Sequence, residues 1–186
     1  DRENCHLICC VYVSPDGIHW RKKNESCWNP YGGEMGAVCY NPIRDRFVIA
    51  SRPDGGDRRV TISETKDWIN YSETLLCMQS DSIDNALTEL YIMKPFYYDG
   101  MMLSLIWMYN TVTTQHSTKF AGGTMTVQLG YSLNGVHWQR SLREDFLGCN
   151  DGEQALGFKP LMTMPGGIIR EEDGGIRIYA TATKLE

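Results

Sequence analysis

Four carboxylates stand in sequence surroundings that could tune them as acids or bases. Glu34 lies between Gly33 and Met35 just before an apolar run, and Asp84 and Glu89 flank a segment rich in aromatics and methionine. Glu153 sits in Gly152-Glu153-Gln154-Ala155-Leu156-Gly157-Phe158. Burial holds one carboxyl neutral while a polar or charged setting keeps another ionised, and such a pair divides general acid from general base. The competing reading makes each of the four a solvated turn residue or a cap on backbone amides.

Aromatic side chains are plentiful, with 5 Trp, 10 Tyr and 5 Phe. A flat ring with a polar tip suits a sugar, whose C–H face stacks on it while hydroxyls bond to nearby polar groups. Trp28, Tyr31, Tyr91, Trp107 and Tyr109 are the candidates for that contact, against a default role of core filling. Arg52 and Arg59 border strand-like runs and could bond sugar hydroxyls. Asp54-Gly55-Gly56-Asp57-Arg58-Arg59 reads as a polar hairpin turn, with an anion-binding loop as the alternative because two guanidinium forks suit a carboxylate. His6 and His116 stand alone, and no Cys-x-x-Cys or His-x-x-x-His spacing builds a local zinc site. Glycine loops for nucleotides and the Gly-x-Ser-x-Gly elbow are absent from the sequence. No metal and no cofactor is expected, although a structural cation held by residues distant in sequence would leave no local signature.

The elements that must position these groups read as short strands. Apolar and β-branched runs at Leu7–Val13, Gly36–Tyr40, Arg46–Ser51, Arg59–Ser63, Leu90–Tyr97, Met101–Tyr109, Thr124–Tyr131 and Ile176–Thr183 are separated by Gly, Asn, Asp and Pro clusters. Asn41-Pro42-Ile43-Arg44-Asp45 and Tyr98-Asp99-Gly100 have the length and composition of antiparallel hairpin turns. A repeat organises them. Ser14-Pro15-Asp16-Gly17-Ile18-His19-Trp20 and Ser132-Leu133-Asn134-Gly135-Val136-His137-Trp138 share one form, each directly after a strand-like run, and Ser63-Glu64-Thr65-Lys66-Asp67-Trp68 reads as a degenerate third copy. His19 and His137 hold the same place in the repeat, so they serve a turn rather than one active site. Trp20, Trp68 and Trp138 lie 48 (68 − 20) and 70 (138 − 68) residues apart, and a spacing of about 40–50 residues is that of four-stranded propeller blades. The longer interval accommodates an insertion over the polar stretch Asn110–Gly123. The expectation is an all-β chain, a single β-propeller domain or fragment over 1–186 of about three to four blades, open or incomplete, with an antiparallel β-sandwich as the alternative.

The repeat, together with Tyr40-Asn41-Pro42-Ile43-Arg44-Asp45-Arg46-Phe47, Arg59-Val60-Thr61-Ile62-Ser63, Asp84 with Glu89-Leu90-Tyr91, and Tyr98-Asp99-Gly100-Met101-Met102-Leu103, resembles the five-bladed β-propeller superfamily of glycoside hydrolases. That superfamily includes invertase-like, levansucrase-like, arabinanase-like and β-xylosidase-like enzymes, and the likeness is greatest to uncharacterised members with Ser-x-Asp-Gly-x-x-Trp turns. It extends from about Val11 to Tyr179. It implies acidic residues from different blades gathered at one end of a central channel. In the inverting members a carboxylate base acts on water and a carboxylic acid protonates the leaving oxygen, with the two groups about 6.5–9.5 Å apart. Carried onto this chain, the resemblance nominates Glu34, Asp84, Glu89 and Glu153 as acid, base and modulator, with no role fixed for any one of them. A sugar-active relative would carry an Asp near Ala155, and this chain has none there. The function so implied is cleavage of glycosidic bonds in plant or microbial oligo- or polysaccharides. Its alternative is a non-catalytic carbohydrate-binding or scaffolding module.

Composition narrows the partners. Eighteen Lys and Arg against 23 Asp and Glu give a net charge of −5, which repels phosphate backbones and anionic lipid. No apolar run approaches the ~20 residues of a membrane span. A carbohydrate ligand is therefore expected, nucleic acid and membrane are not, and self-association would cover open blade edges. Cys9, Cys10, Cys39 and Cys77 lie in or beside β-rich apolar segments, which suits buried reduced thiols and a cytoplasmic setting while leaving secretion open. The start at Asp1, with no initiator Met and no apolar leader, reads as a processed or excised piece.

Overall fold

The computed structural model describes residues 10–23, 35–53, 58–111, 123–147 and 162–183, and among them every regular element is a strand. The order is β1 (Tyr12–Val13), β2 (Arg21–Lys22), β3 (Met35–Asn41), β4 (Arg46–Ser51), β5 (Val60–Thr65) and β6 (Leu75–Met78). It continues with β7 (Thr88–Tyr98), β8 (Met101–Thr111), β9 (Gly123–Ser132), β10 (Gln139–Arg140), β11 (Met162–Arg170) and β12 (Ile176–Thr183). β4 and β12 match the expected runs at both ends. β2, β6, β10 and β11 have no expected counterpart: three are short, and β11 contains Pro165, Gly166 and Gly167, residues that argue against a strand until a bulge absorbs them. A register shift between Pro165 and Gly167 does so.

β3-β4-β5-β6 form one four-stranded sheet, and a six-stranded sheet runs β12-β11-β9-β8-β7 with β10 also on β9. β1 and β2 pair alone, and none of the three sheets closes on itself among the described residues. Within β3–β6 and within β7–β10 each strand pairs antiparallel with the next, giving two meanders of the same order. Their first hairpins turn where sequence places them. Asp99 and Gly100 take φ of 44° and 89°, the two consecutive positive values of a type I′ turn, whose twist matches that of the flanking strands.

The repeated turn is built identically in its two full copies. Ser14 Oγ accepts Gly17 N at 2.8 Å, Asp16 Oδ1 accepts Ile18 N and His19 N at 2.9 and 2.8 Å, and Trp20 Nε1 donates to Gly17 O at 3.1 Å. Ser132 Oγ, Asn134 Oδ1 and Trp138 Nε1 make the same bonds at 2.8, 2.9, 2.9 and 2.8 Å. The third copy corrects the sequence alignment. Thr65 takes the Ser place and bonds Trp68 N at 3.0 Å, Asp67 caps Ile69 N and Asn70 N at 2.8 Å each, and Tyr71 OH donates to Trp68 O at 3.1 Å. Trp68, at φ 64°, therefore stands in the Gly place and Tyr71 in the Trp place.

Two cores sandwich the second meander. Val48, Ala50, Val60, Ile62 and Met78 of the first sheet meet Leu90, Met93, Met102, Ile106, Met108 and Trp138 of the second. On the opposite face Leu105, Trp107, Tyr109, Met125 and Val127 pack with Ile168 of β11 and Ile178 of β12. β8 is therefore apolar at odd and even positions alike, each set facing its own core, which is why it reads as a continuous apolar run. Of the thiols expected to be buried, Cys39 and Cys77 are partly buried beside the first core, whereas Cys10 is exposed; Cys9 lies outside the described residues.

Candidate functional site

Three register shifts gather at the end of the sheets opposite the Asp45 and Asp99 turns. They fall between Met35 and Ala37, between Val60 and Thr61, and between Leu90 and Ile92. A bulge adds a residue to one strand and re-aims its side chain. In β7 the extra residue is Tyr91, so Tyr91 and Ile92 both face the second core instead of alternating across the sheet. A water-sized cavity of about 20 Å³ opens there between Gly36, Ser51, Arg52, Arg59, Tyr91 and Ile92. It is too small to take in a sugar ring.

Basic and aromatic groups converge on this end. Arg58 Nη1 donates to Glu89 Oε2 at 2.6 Å, and both side chains are less than 10% exposed, at 8% and 9%. The Arg58 guanidinium lies 5.1 Å from the Tyr91 ring centre and 5.5 Å from that of Tyr109, and Arg52 approaches Tyr91 at 5.9 Å. Tyr91 stacks on Trp107 at 6.0 Å and 12°, and meets Tyr109 edge-on at 6.1 Å and 79°. Lys94 sits 5.5 Å from the Trp107 ring centre. Leu90 N donates to Arg58 O at 3.2 Å, which ties the start of β5 to β7 and fixes the pair across the two sheets. Burial, followed by the nearby Glu89 and Tyr91, pushes the Tyr109 phenol above its ordinary range against the opposing effect of Arg58, so Tyr109 is a protonated phenol at neutral pH.

Six sequence candidates thus come together: Glu89, Arg52, Arg59, Tyr91, Trp107 and Tyr109. Trp107 and Tyr109 are 8% and 3% exposed and belong to the core, as the core-filling alternative has it, while Tyr91, Arg52 and Arg59 stay partly accessible. Lys94 is a site member that the sequence did not single out, and Arg58, which it offered only in the alternative reading of the 54–59 loop, turns its fork on Glu89. The adjacency of Arg58 to Arg59 was the available signal for that residue; Lys94 has none, since its place depends on the β7–β8 register. Glu34, Glu153, Trp28 and Tyr31 lie outside the described residues, as does the 54–57 segment.

Asp84 belongs to a different cluster. Its two carboxylate oxygens take Arg140 Nη1 and Nη2 at 2.6 Å each, and Arg143 holds Asp81 at 2.6 and 3.0 Å. Burial opposes the Asp84 charge, but the Arg140 guanidinium and the Asp81 backbone N–H together outweigh it and leave the carboxyl below its ordinary range. Asp81 is lowered as well, chiefly by Arg143. This network pins the 81–87 loop to β10 beside an open groove lined by Cys77, Trp138 and Gln139. Glu89 and Asp84 share neither a partner nor a cavity among the described residues. His19 Nδ1 meets Asp16 Oδ2 at 2.7 Å within its own turn, the structural role expected of it.

No protein-family model and no curated protein matches the chain. Among solved structures it is similar to an N-acetylgalactosamine deacetylase from F. plautii, determined in complex with blood group B trisaccharide. The TM-score is 0.53 at 14% sequence identity, over 95% of this chain and 52% of that one. The chain therefore spans about half the length of that carbohydrate-processing enzyme, and a likeness at this identity is one of fold.

Proposed function

We propose that the chain is a carbohydrate-directed protein whose sugar contact is the Tyr91 end of its two meanders. The observation that carries this reading is the Arg58–Glu89 pair, less than 10% exposed, set behind an accessible Tyr91 and flanked by Arg52 and Arg59. A sugar presents apolar C–H faces together with a dense set of hydroxyls, so it asks for a ring beside forked donors and a carboxylate acceptor. The fold it shares with a glycan-processing enzyme supports the same reading, as does the resemblance of its turns to propeller glycoside hydrolases, on which the two meanders are successive blades.

Binding without turnover is the mode this geometry favours, because Asp84 is committed to Arg140 and leaves Glu89 the one candidate carboxylate of the cluster among the described residues. Hydrolysis is the second reading, and it rests on Glu89 standing beside Tyr91. It needs a second carboxyl, for which Glu34 and Glu153 are the sequence candidates. The test is a ligand titration by NMR or calorimetry against neutral and N-acetylated oligosaccharides, with a parallel hydrolysis screen on aryl glycosides and plant polysaccharides. Binding that falls at least about tenfold in Tyr91→Ala, the loss of roughly 1.4 kcal/mol, is expected. Turnover abolished in Glu89→Gln would decide for hydrolysis. The absence of both binding and turnover across the whole panel overturns the carbohydrate reading.

A further inference from the structure

Two of the three register shifts each add a residue that lines the same small cavity. Met35 pairs with Ser51 and Ala37 with Ala50, so Gly36 is the extra residue of β3, as Tyr91 is of β7. Both line the space of about 20 Å³ at this end of the sheets. Ala50, Val60 and Met93 close it from the core side, at 1%, 2% and 1% exposure. Ser51 adds little polarity there. Thr61 Oγ1 donates to Ser51 O at 3.1 Å, so in the 2.9 Å bond between the two hydroxyls Ser51 is the donor and its proton is spent on Thr61. The rim differs: Arg52, Arg59 and Tyr91 are partly accessible, and each guanidinium carries a fork of N–H donors. A water in this space would need about two to four polar partners, whereas an apolar lining suits a methyl group of similar size.

Glycine at position 36 keeps that space open. A Cβ there would lie 3.4 Å from Ala50 O and 3.5 Å from Ile92 Cγ2, which is ordinary contact, and the backbone is not left-handed. Gly130 of β9 is the contrast, since a Cβ there would meet Ser104 Oγ at 2.6 Å and Ile106 Cδ1 at 2.8 Å. Packing demands glycine at 130 and not at 36. A strand glycine that packing does not demand marks a bulge or the close approach of a ligand, and Gly36 stands at a bulge beside a cavity.

We propose that this cavity receives the methyl of an acetamido group, so that the ligand of the Tyr91 end is an N-acetylated sugar. The sugar ring lies against Tyr91, the methyl enters between Gly36 and Ile92, and the amide oxygen accepts from the guanidinium rim. The proposal rests on the carbohydrate reading above and narrows its ligand class. A hydroxyl in place of the acetamido group is too short to fill the apolar space. A free amine would bring an ammonium beside Arg52 and Arg59, where like charges repel. The acetamido group alone of the three is neutral, carries an acceptor for the rim and ends in a methyl.

Calorimetric titration of the whole chain with three matched oligosaccharides tests this: the N-acetylated form, its hydroxyl counterpart and its N-propanoyl homologue, each in the gluco and galacto series. The N-acetylated ligand should bind about tenfold tighter than the hydroxyl one, from one buried methyl and one amide hydrogen bond. The propanoyl homologue, one methylene too long for the cavity, should lose that gain. Gly36→Ala should bring the N-acetylated ligand down to the affinity of the hydroxyl one, leave the latter unchanged and keep the circular dichroism spectrum. Equal affinity for the N-acetylated and hydroxyl ligands overturns the proposal and spares the carbohydrate reading. So does an N-acetyl preference that the propanoyl homologue shares, or one that survives in folded Gly36→Ala. If Gly36→Ala does not fold, the ligand series on the unmodified chain decides alone. Binding of none of the three overturns the carbohydrate reading and this proposal together.

Discussion

Removing Glu89 separates what the Arg58–Glu89 pair does for stability from what it does for recognition. With both side chains less than 10% exposed, Glu89→Gln takes the Glu89 charge away from a guanidinium in the interior. Breaking a buried pair in this way costs about 3–5 kcal/mol. Two effects reduce that figure: a glutamine oxygen still accepts a hydrogen bond, and Arg58 keeps its positions over Tyr91 and Tyr109, each worth about 0.5–1 kcal/mol or more when desolvated. The expected loss is therefore about 2–4 kcal/mol, read as a lower guanidinium chloride midpoint at unchanged slope. Replacing both partners together, Arg58→Met with Glu89→Leu, swaps an ion pair for apolar volume and should recover all but about 1 kcal/mol of that loss. The double variant should nonetheless fail to bind any glycan that the unmodified chain binds. If it is stable and binds as before, the pair is scaffolding and the site lies elsewhere. If Glu89→Gln changes stability by less than about 0.5 kcal/mol, as a surface substitution would, the pair is not the buried couple described.

The repeated turn offers a matched comparison. Gly17 and Gly135 have φ of 74° and 81°, but an added Cβ meets nothing within 4 Å at Gly17 and lies 2.4 Å from Asn41 Nδ2 at Gly135. Gly17→Ala should cost only the left-handed strain of about 1–2 kcal/mol. Gly135→Ala should add about 1–3 kcal/mol of overpacking, and equal losses in thermal or denaturant melts would contradict the packing of that turn on Asn41. Acid should also undo the Asp84 cluster. Asp81 and Asp84 are held below the ordinary aspartate value, so their contribution to stability is complete above about pH 4 and disappears as pH falls toward their folded values. Asp84→Asn, with Arg140 only 2% exposed, should cost up to about 3 kcal/mol at pH 7 and flatten the acid limb of stability against pH; an unchanged acid limb would refute the assignment.

Much of the fold was legible because its signals are local. Alternation and turn residues mark most strands, and Asp99-Gly100 or Ser-x-Asn-Gly encodes its turn in a few adjacent side chains. The third copy was misaligned because Trp68 looks like the repeat's tryptophan. Its backbone, at φ 64°, occupies the glycine place, and Tyr71 supplies the hydroxyl that replaces the indole donor. Six site candidates cluster because an Arg or aromatic bordering a strand end is visible in sequence, but Tyr91's accessibility depends on a bulge, and a bulge is a property of two strands. Asp84 and Glu89 both precede the same aromatic- and methionine-rich run. What separates them is which arginine arrives from far along the chain, Arg140 or Arg58, and no spacing rule reports that.

The two ends of the meanders divide the labour of the fold. At the Asp45 and Asp99 end, hairpins and repeated turns satisfy amides through nearby Ser, Thr, Asp and Asn side chains and repeat with the architecture, and Asn41 Nδ2 adds one bond across the sheets to Asn134 O. At the other end the register slips three times, and polar groups are satisfied across sheets instead, by Arg58 on Glu89 and by Arg58 O on Leu90 N. Residues repeated by an architecture serve the architecture, whereas chemistry that occurs once must sit where the repeat breaks. On that reasoning Tyr91, the extra residue of the β7 bulge, is the side chain whose loss should separate ligand binding from folding most cleanly, because it is added to the sheet pairing rather than required by it.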